Sequence, residues 1–295
     1  MGRGVGNGDG MVPDLLCLKI LDQHLELRFP DALPSAATLR KQIQTRSGFQ
    51  YEAVMCTLLK HVLGSLAAPV YMDVGGFIGF YSIFAARLLG ARGRVIAVEC
   101  NPDYRAVLRE NVARNQVQVE ILAEALSDRH EVLKYIGSAL SAQPEAEGEA
   151  VPARPLDEIC RQAGYVPQVM TMDVHGFEAK MLGGMQELLH GPLQYLLLEL
   201  HPNIFLEEFT PGQTAFDILD LLAEVGFYSY YVAGHRYFFA DGMPRFYEQG
   251  LAYLPLTRET RGLLLFDRYN QLFVCASKTP LEELVGPAVA DPSQE

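Results

Sequence analysis

The sequence predicts an α/β fold: a Rossmann-like, doubly wound, mostly parallel sheet. A terminal antiparallel strand pair and an N-terminal hairpin and helical extension complete it. Three observations carry this expectation. Short apolar runs alternate with helix-length segments from residue 70 to residue 232, the pattern of buried strands and crossover helices. The first run, Val70-Tyr-Met-Asp-Val74, leads into Gly75-Gly-Phe-Ile-Gly79 and an apolar stretch that stops at Gly90. That is a strand, a tight turn and a helix. The second run, Arg94 to Val98, ends in an acid, Glu99, twenty residues after Gly79.

Along the chain, residues 1–12 are glycine-rich without the apolar core of a signal peptide, and a disordered leader is expected. Leu15–Ile20 and His24–Phe29 alternate apolar and polar residues around Asp22-Gln23, which predicts a hairpin. Helices are predicted over 35–45 and 51–63, the second with an apolar stripe at Val54, Leu58, Leu59, Val62 and Leu63. Residues 13–66 thus form an extension that serves as a lid or simply packs on the sheet. Asn101-Pro102-Asp103 starts a helix with cap, proline and acid in order. A third strand is predicted over 117–123, a short one over 131–136, and a mobile loop over 137–153. A helix over 155–163, a strand over 169–174, a helix from Phe177 broken near Gly183-Gly184 and a strand over 195–200 follow. After a helix over 214–225, the β-rich segments 227–232 and 271–278 make the terminal pair. The cofactor domain is expected to span 67–280, with an aromatic insertion at 234–270 and a flexible tail over 281–295.

The glycine turn does not match a dinucleotide fingerprint. Val74 stands where G-x-G-x-x-G needs its first glycine, so only Gly76-x-x-Gly79 fits. Asp73 points to a different ligand. S-adenosylmethionine carries an ammonium, a sulfonium and no phosphate, so an acid at a strand end can receive its amino group, directly or through water. Glu99 can accept both ribose hydroxyls, though alone it would serve NAD equally well. A plain βαβ unit with caps gives the same pattern. At the end of the third strand, a backbone N–H of Ala125 or Leu126, or the side chain of Ser127 or Asp128, can read a base; an ordinary turn is the alternative. The candidate cofactor residues are therefore Asp73, Gly75, Gly76, Gly79, Glu99, Ala125, Leu126 and Asp173. The last falls at the carboxyl edge of a strand, where open α/β sheets bind ligands.

Six pieces occur in order: Asp73-Val-Gly-Gly-Phe-Ile-Gly79, Val98-Glu-Cys-Asn-Pro102, Glu124-Ala-Leu-Ser-Asp128, Leu156-Asp-Glu-Ile159, Met172-Asp-Val-His-Gly-Phe-Glu178 and Leu198-Glu-Leu-His-Pro202. Together they resemble the FkbM family of S-adenosylmethionine-dependent methyltransferases, over roughly residues 50 to 233. The resemblance implies S-adenosyl-L-methionine as cofactor and hydroxyls of sugars or natural products as methyl acceptors. Two departures stand out. The family usually has Ala-Asn where this chain has Gly76-Phe77, and Glu where it has His175.

Asp173, His175, Glu178, Glu199 and His201 gather at two adjacent strand ends. They can be acid/base machinery, ties that hold loops, or ligands of a divalent metal. Methyl transfer asks for no ion, so no metal is expected. The catalytic candidates are His175, with His201 in reserve, and Asp173. An alcohol is a poor nucleophile until its proton leaves, and imidazole titrates near 6.5, close to the operating pH. Two other classes compete: an NAD-dependent oxidoreductase, which lacks its full fingerprint, and a catalytically inactive S-adenosylmethionine-binding or partner-binding protein, suggested by the change to His175.

Bulk composition narrows the partners. A formal charge of −12 and a pI near 5.1 argue against nucleic acid, which needs clustered Lys and Arg. No apolar run reaches the roughly 18 residues of a membrane span. Five scattered cysteines, with no C-x-x-C, fit reduced thiols in the cytoplasm.

Overall fold

The structure, a computed structural model, describes residues 14–45, 52–136, 139–141, 147–234, 250–264 and 272–289. The leader (1–12) and most of the insertion (234–270) lie outside these residues. The predicted hairpin forms: β1 (Leu15–Ile20) pairs antiparallel with β2 (Gln23–Arg28), Ile20 opposite Gln23. A lone hairpin is marginal in water, and this one is anchored. Ile20, Leu25 and Leu27 are buried. Asn111 Oδ1 accepts from Arg28 N at 2.7 Å, and the Asn115 side chain bonds both the N–H and the carbonyl of Glu26. Helices α1 (Pro34–Gln44) and α2 (Ala53–Ser65) follow, and the α2 stripe from Val54 to Leu63 is buried as its spacing predicts.

Next come β3 (Val70–Val74), α3 (Phe80–Leu89), β4 (Arg94–Val98), α4 (Pro102–Arg114) and the short β5 (Glu120–Leu122). Asn101 caps α4, accepting from the N–H groups of Asp103 and Tyr104. Then the chain departs from expectation. Part of the stretch predicted as a mobile loop is sheet: β8 (Ala139–Ser141) and most of β9 (Glu149–Arg154) fall within it and join β6 (Ala125–Leu126) and the predicted short strand β7 (Glu131–Ile136) in the order β6-β9-β7-β8. Cross-strand pairing of β9 with β7 outweighs the weak local β signal of Glu149-Ala-Val-Pro-Ala-Arg154.

The core sheet resumes with α5 (Leu156–Ala163), β10 (Val169–Met172), α6 (Glu178–Gly183), α7 (Gln186–His190), β11 (Tyr195–Leu200), α8 (Asn203–Phe209) and α9 (Ala215–Glu224). It closes with β12 (Tyr228–Val232), β13 (Tyr253–Pro255), α10 (Arg261–Leu264), β14 (Leu272–Ser277) and α11 (Leu281–Val285). Eight strands line up as β13-β12-β14-β11-β10-β3-β4-β5. From β11 to β5 neighbours run parallel; β14 is antiparallel to both β11 and β12, the predicted terminal pair. Residues 281–289 correct the expected flexible tail: Leu281 is fully buried, its N–H donates to the Tyr230 hydroxyl, and Val289 N donates to the Leu251 carbonyl.

Side chains alternate across the sheet. Tyr71 joins the core under α2, α3 and the hairpin; Met72 and Val74 join the core under α5, α6 and α9. Strand order reverses at β3, which lies between β4 and β10. That switch point opens a crevice at the carboxyl ends of the strands.

Candidate active site

The turn after β3 is held from β4: the Val98 carbonyl accepts from Gly75 N at 3.1 Å and Gly76 N at 3.0 Å. Gly75 has φ +82°, and a Cβ there would meet the Asp173 carbonyl oxygen at 2.2 Å, so no other residue fits. Gly79 also needs its freedom, with φ +94° and Leu108 at 2.9 Å from a built Cβ. Gly76 does not: a Cβ would rest 3.4 Å from Ala97. Phe77 takes φ +49°, a left-handed backbone that Asn adopts more easily. Its ring packs on Tyr104 at 4.7 Å between centroids.

Glu99, 8% exposed, accepts from Phe77 N through Oε2 and from Asn101 N through Oε1, both at 2.8 Å. Burial raises its pKa to about 7, against the pull of those two N–H groups and of Arg105. Each oxygen keeps a second lone pair for a ligand hydroxyl. Asp73 is more enclosed. Ser82 Oγ donates to its Oδ2 at 2.5 Å and Thr171 Oγ1 to its Oδ1 at 2.8 Å; burial raises its pKa while those hydroxyls lower it. The residue ties β3 to α3 and β10 as well as facing the crevice.

A cavity of about 580 Å³ fills the switch point. Its wall holds the turn, Ala125 and Leu126, and five carboxylates: Asp73, Glu99, Glu124, Asp173 and Glu199. No lysine or arginine lines it among the described residues. Ser127 and Asp128 do not line it; Ser127 is buried against Glu131. From the N-terminal extension, α1 contributes Ser35, Thr38, Leu39 and Gln42, and α2 contributes Met55.

On the opposite side of β3 from Glu99, sheet register builds the second cluster. Met172 lies opposite Leu198. Asp173 therefore comes level with Glu199, and His175 and His201 lie two residues further along each chain. His175 has φ +52° and a side chain 67% exposed, with Nδ1 3.5 Å from Asp173 Oδ1. Gly176, at φ +101°, makes room for α8: a Cβ would meet the Phe205 carbonyl oxygen at 2.7 Å. His201 is 1% exposed and its ring centroid lies 4.9 Å from that of His175. Its Nδ1–H donates to Oε1 of the fully buried Glu178 at 2.6 Å, and its Nε2 lies 3.9 Å from Asp173 Oδ1. Burial disfavours the charged imidazole, but Glu178, Asp173 and Glu199 outweigh it and raise the His201 pKa.

Thus the structure brings Asp173, His175 and His201 together, with His175 on the cavity wall and His201 behind it. Sequence reasoning missed Ser82 and Thr171, the partners of Asp73. Thr171 lies 98 residues from Asp73 in sequence, and no local pattern announces such a contact.

The methyltransferase FkbM domain family matches residues 73–229, more than half of the 295-residue chain. No curated protein matches the sequence. Solved structures with a similar fold include methyltransferase FkbM from Methylobacillus flagellatus, 13% identical over 72% of this chain and 45% of its own, TM-score 0.45. This chain spans less than half of that protein's length. Others are a SAM-dependent methyltransferase from Agrobacterium tumefaciens (12% identity, 92% of this chain and 72% of its own, TM-score 0.49) and an O-methyltransferase from Bacillus cereus in complex with SAH (10%, 84% and 92%, 0.42). With TM-scores below 0.5, these likenesses carry no argument about this chain. With residues 73–229 matched and the glycine turn, Glu99 and Asp173 set around one crevice, this chain belongs to the FkbM family of methyltransferases, whose methyl donor is S-adenosylmethionine.

Proposed function

We propose that this protein transfers a methyl group to a hydroxyl of a sugar or other small natural-product-like acceptor. One observation carries the cofactor half: the cavity lining holds five carboxylates and no lysine or arginine among its described residues. That lining suits a cationic sulfonium and ammonium. Together with Val74 in place of the first glycine of the dinucleotide fingerprint, it disfavours the NAD-dependent alternative. When bound, S-adenosylmethionine supplies an electrophilic methyl on sulfur. Glu99 would hold the ribose hydroxyls, Ala125 and Leu126 would line the base, and Asp73 and Asp173 would face the amino-acid end.

The chain's own residues then supply approach geometry and a proton acceptor. His175 reaches the cavity beside Asp173, and its imidazole would take the acceptor's proton as the oxygen attacks. His201, pinned by Glu178, would position His175 from behind rather than touch substrate. Five free cysteines fit a reducing compartment, and we place the protein in the cytoplasm. Among the described residues, no helix is long and apolar enough to cross a membrane.

The test is incubation with methyl-labelled S-adenosylmethionine and pools of hydroxyl-bearing small molecules. Label in a new methyl ether is expected. Tight binding of S-adenosylhomocysteine with no transfer to any pool would instead make this a non-catalytic binder.

A further inference from the structure

We propose that Asp173, His175 and His201 form a binding site for a first-row divalent transition metal, of the Zn²⁺ type, opening on the acceptor side of the cavity. Ion binding goes beyond the methyl-transfer reading and stands without it, whereas the ion's role in activating the acceptor rests on that reading. It also reverses the expectation from sequence that no metal is needed: the sequence gathers these residues at two adjacent strand ends, and the structure adds the distances between their ligand atoms.

They do. One ligand atom from each residue can be chosen so that all three lie within 4.8 Å of one another. Asp173 Oδ1 is 3.5 Å from His175 Nδ1 and 3.9 Å from His201 Nε2. A tetrahedral Zn²⁺ with bonds of about 2.0–2.2 Å spaces its ligands about 3.3–3.6 Å apart. Closing the cluster onto an ion therefore asks for shifts of about an ångström or less. The His175 side chain is 67% exposed, and its ring lies 4.9 Å from that of His201 between centroids.

The donor chemistry selects the ion. Two imidazoles and one carboxylate suit zinc, iron and their neighbours, whereas magnesium and calcium prefer all-oxygen sites. The supporting shell matches as well. Glu178 is fully buried and accepts the Nδ1–H of His201 at 2.6 Å, which turns Nε2 toward Asp173, where an ion would take the place of a proton. Carboxylate–histidine pairing of this kind orients metal-binding imidazoles. Tying down a loop would need only one side of the His201 ring. Here a second imidazole and a second carboxylate meet on its other side. Asp173 and His175 also line the cavity, so an ion among them would keep coordination positions open to an acceptor oxygen. An alcohol on that ion releases its proton to solvent more readily. The oxygen then forms its bond to the methyl carbon as the carbon–sulfur bond breaks and sulfur leaves as a neutral thioether. In that state His175 is a ligand, and the ion takes over the activation assigned to the imidazole.

The full chain, stripped with chelator and dialysed, is titrated calorimetrically with Zn²⁺ and, separately, with Mg²⁺. One Zn²⁺ per chain is expected, with Mg²⁺ unable to compete at similar concentration. Glu178→Gln should weaken Zn²⁺ binding about 10- to 100-fold, and His175→Ala and Asp173→Asn by at least about tenfold. Circular dichroism of every sample reports an intact fold, and S-adenosylhomocysteine binding by the wild-type, His175→Ala and Glu178→Gln proteins keeps the two readings apart. Because His175 is exposed, its variant should fold even if others do not. Absence of stoichiometric Zn²⁺ binding in protein that binds S-adenosylhomocysteine would overturn the metal site and leave methyl transfer standing. Zn²⁺ binding that His175→Ala leaves unchanged would place the ion elsewhere and overturn it too.

Discussion

The two sides of the crevice are built in different ways. On the β4 side, backbone does most of the work: glycines that cannot be replaced, and N–H groups that fix both oxygens of Glu99. On the β10–β11 side, side chains from three places converge, and one of them, His175, is exposed, with Nδ1 3.5 Å from Asp173 Oδ1 and its ring 4.9 Å from that of His201 between centroids. Backbone-built sites tolerate little variation, whereas side-chain clusters can exchange chemistry without disturbing the fold. The departure at His175, where the family usually carries Glu, falls on the second side. The other departure, Gly76-Phe77 in place of Ala-Asn, falls on the first side, where the backbone frame still holds: the Val98 carbonyl accepts from Gly75 N and Gly76 N.

The sharpest way to break that contrast is His175→Ala. Affinity for S-adenosylhomocysteine should hold while turnover on an identified acceptor falls about 10²–10⁴-fold. Loss of both together would mean the two sides are not separable. Gly75→Ala should act in the opposite sense. A methyl 2.2 Å from a backbone oxygen, at φ +82°, forces β3 and the Asp173 turn apart. We expect about 2–4 kcal/mol of lost stability in chemical denaturation, and lost cofactor binding with it.

A pH series sharpens the account of Glu99. Its pKa is raised from 4.5 to about 7, mainly by burial. A raised folded-state value means the native protein holds this proton more tightly than the unfolded chain. The contribution to stability is therefore complete below about pH 4.5 and is lost as pH climbs through about 7. Compared with Glu99→Gln, wild-type apoprotein should lose about 3 kcal/mol between pH 4.5 and 8; parallel curves for the two proteins would contradict it. The smallest effect belongs to Gly76→Ala. With ordinary space for a Cβ, it should change stability by no more than about 1 kcal/mol, in the stabilising direction.

What was legible in the sequence follows the same division. The glycine turn, the Asn101 cap and Glu99 could be found because their physics is local: positive φ, a free helix start, an acid at a strand end. Strand positions in the parallel sheet were legible because buried strands read as continuous apolar runs. The β6–β9 sheet was not, since Glu149–Arg154 becomes a strand only by pairing with Glu131–Ile136. Residue types at the second cluster and their gathering at two adjacent strand ends were visible, but the close approach of their ligand atoms was not. That depends on the register of Met172 with Leu198 and on Glu178 reaching back to His201. Asp73 illustrates the limit most plainly: an acid at a strand end suggests a ligand, while its closest partners are the hydroxyls of Ser82 and Thr171.

The central claim, that a carboxylate-lined crevice with Glu99 at the end of β4 selects S-adenosylmethionine chemistry over a dinucleotide, is tested most directly by calorimetry. S-adenosylhomocysteine should bind the wild-type protein with NAD giving no heat. Glu99→Ala should weaken that binding about 5- to 150-fold, the equivalent of about 1–3 kcal/mol for a buried charged hydrogen bond. Binding of NAD with no response to S-adenosylhomocysteine would contradict the account.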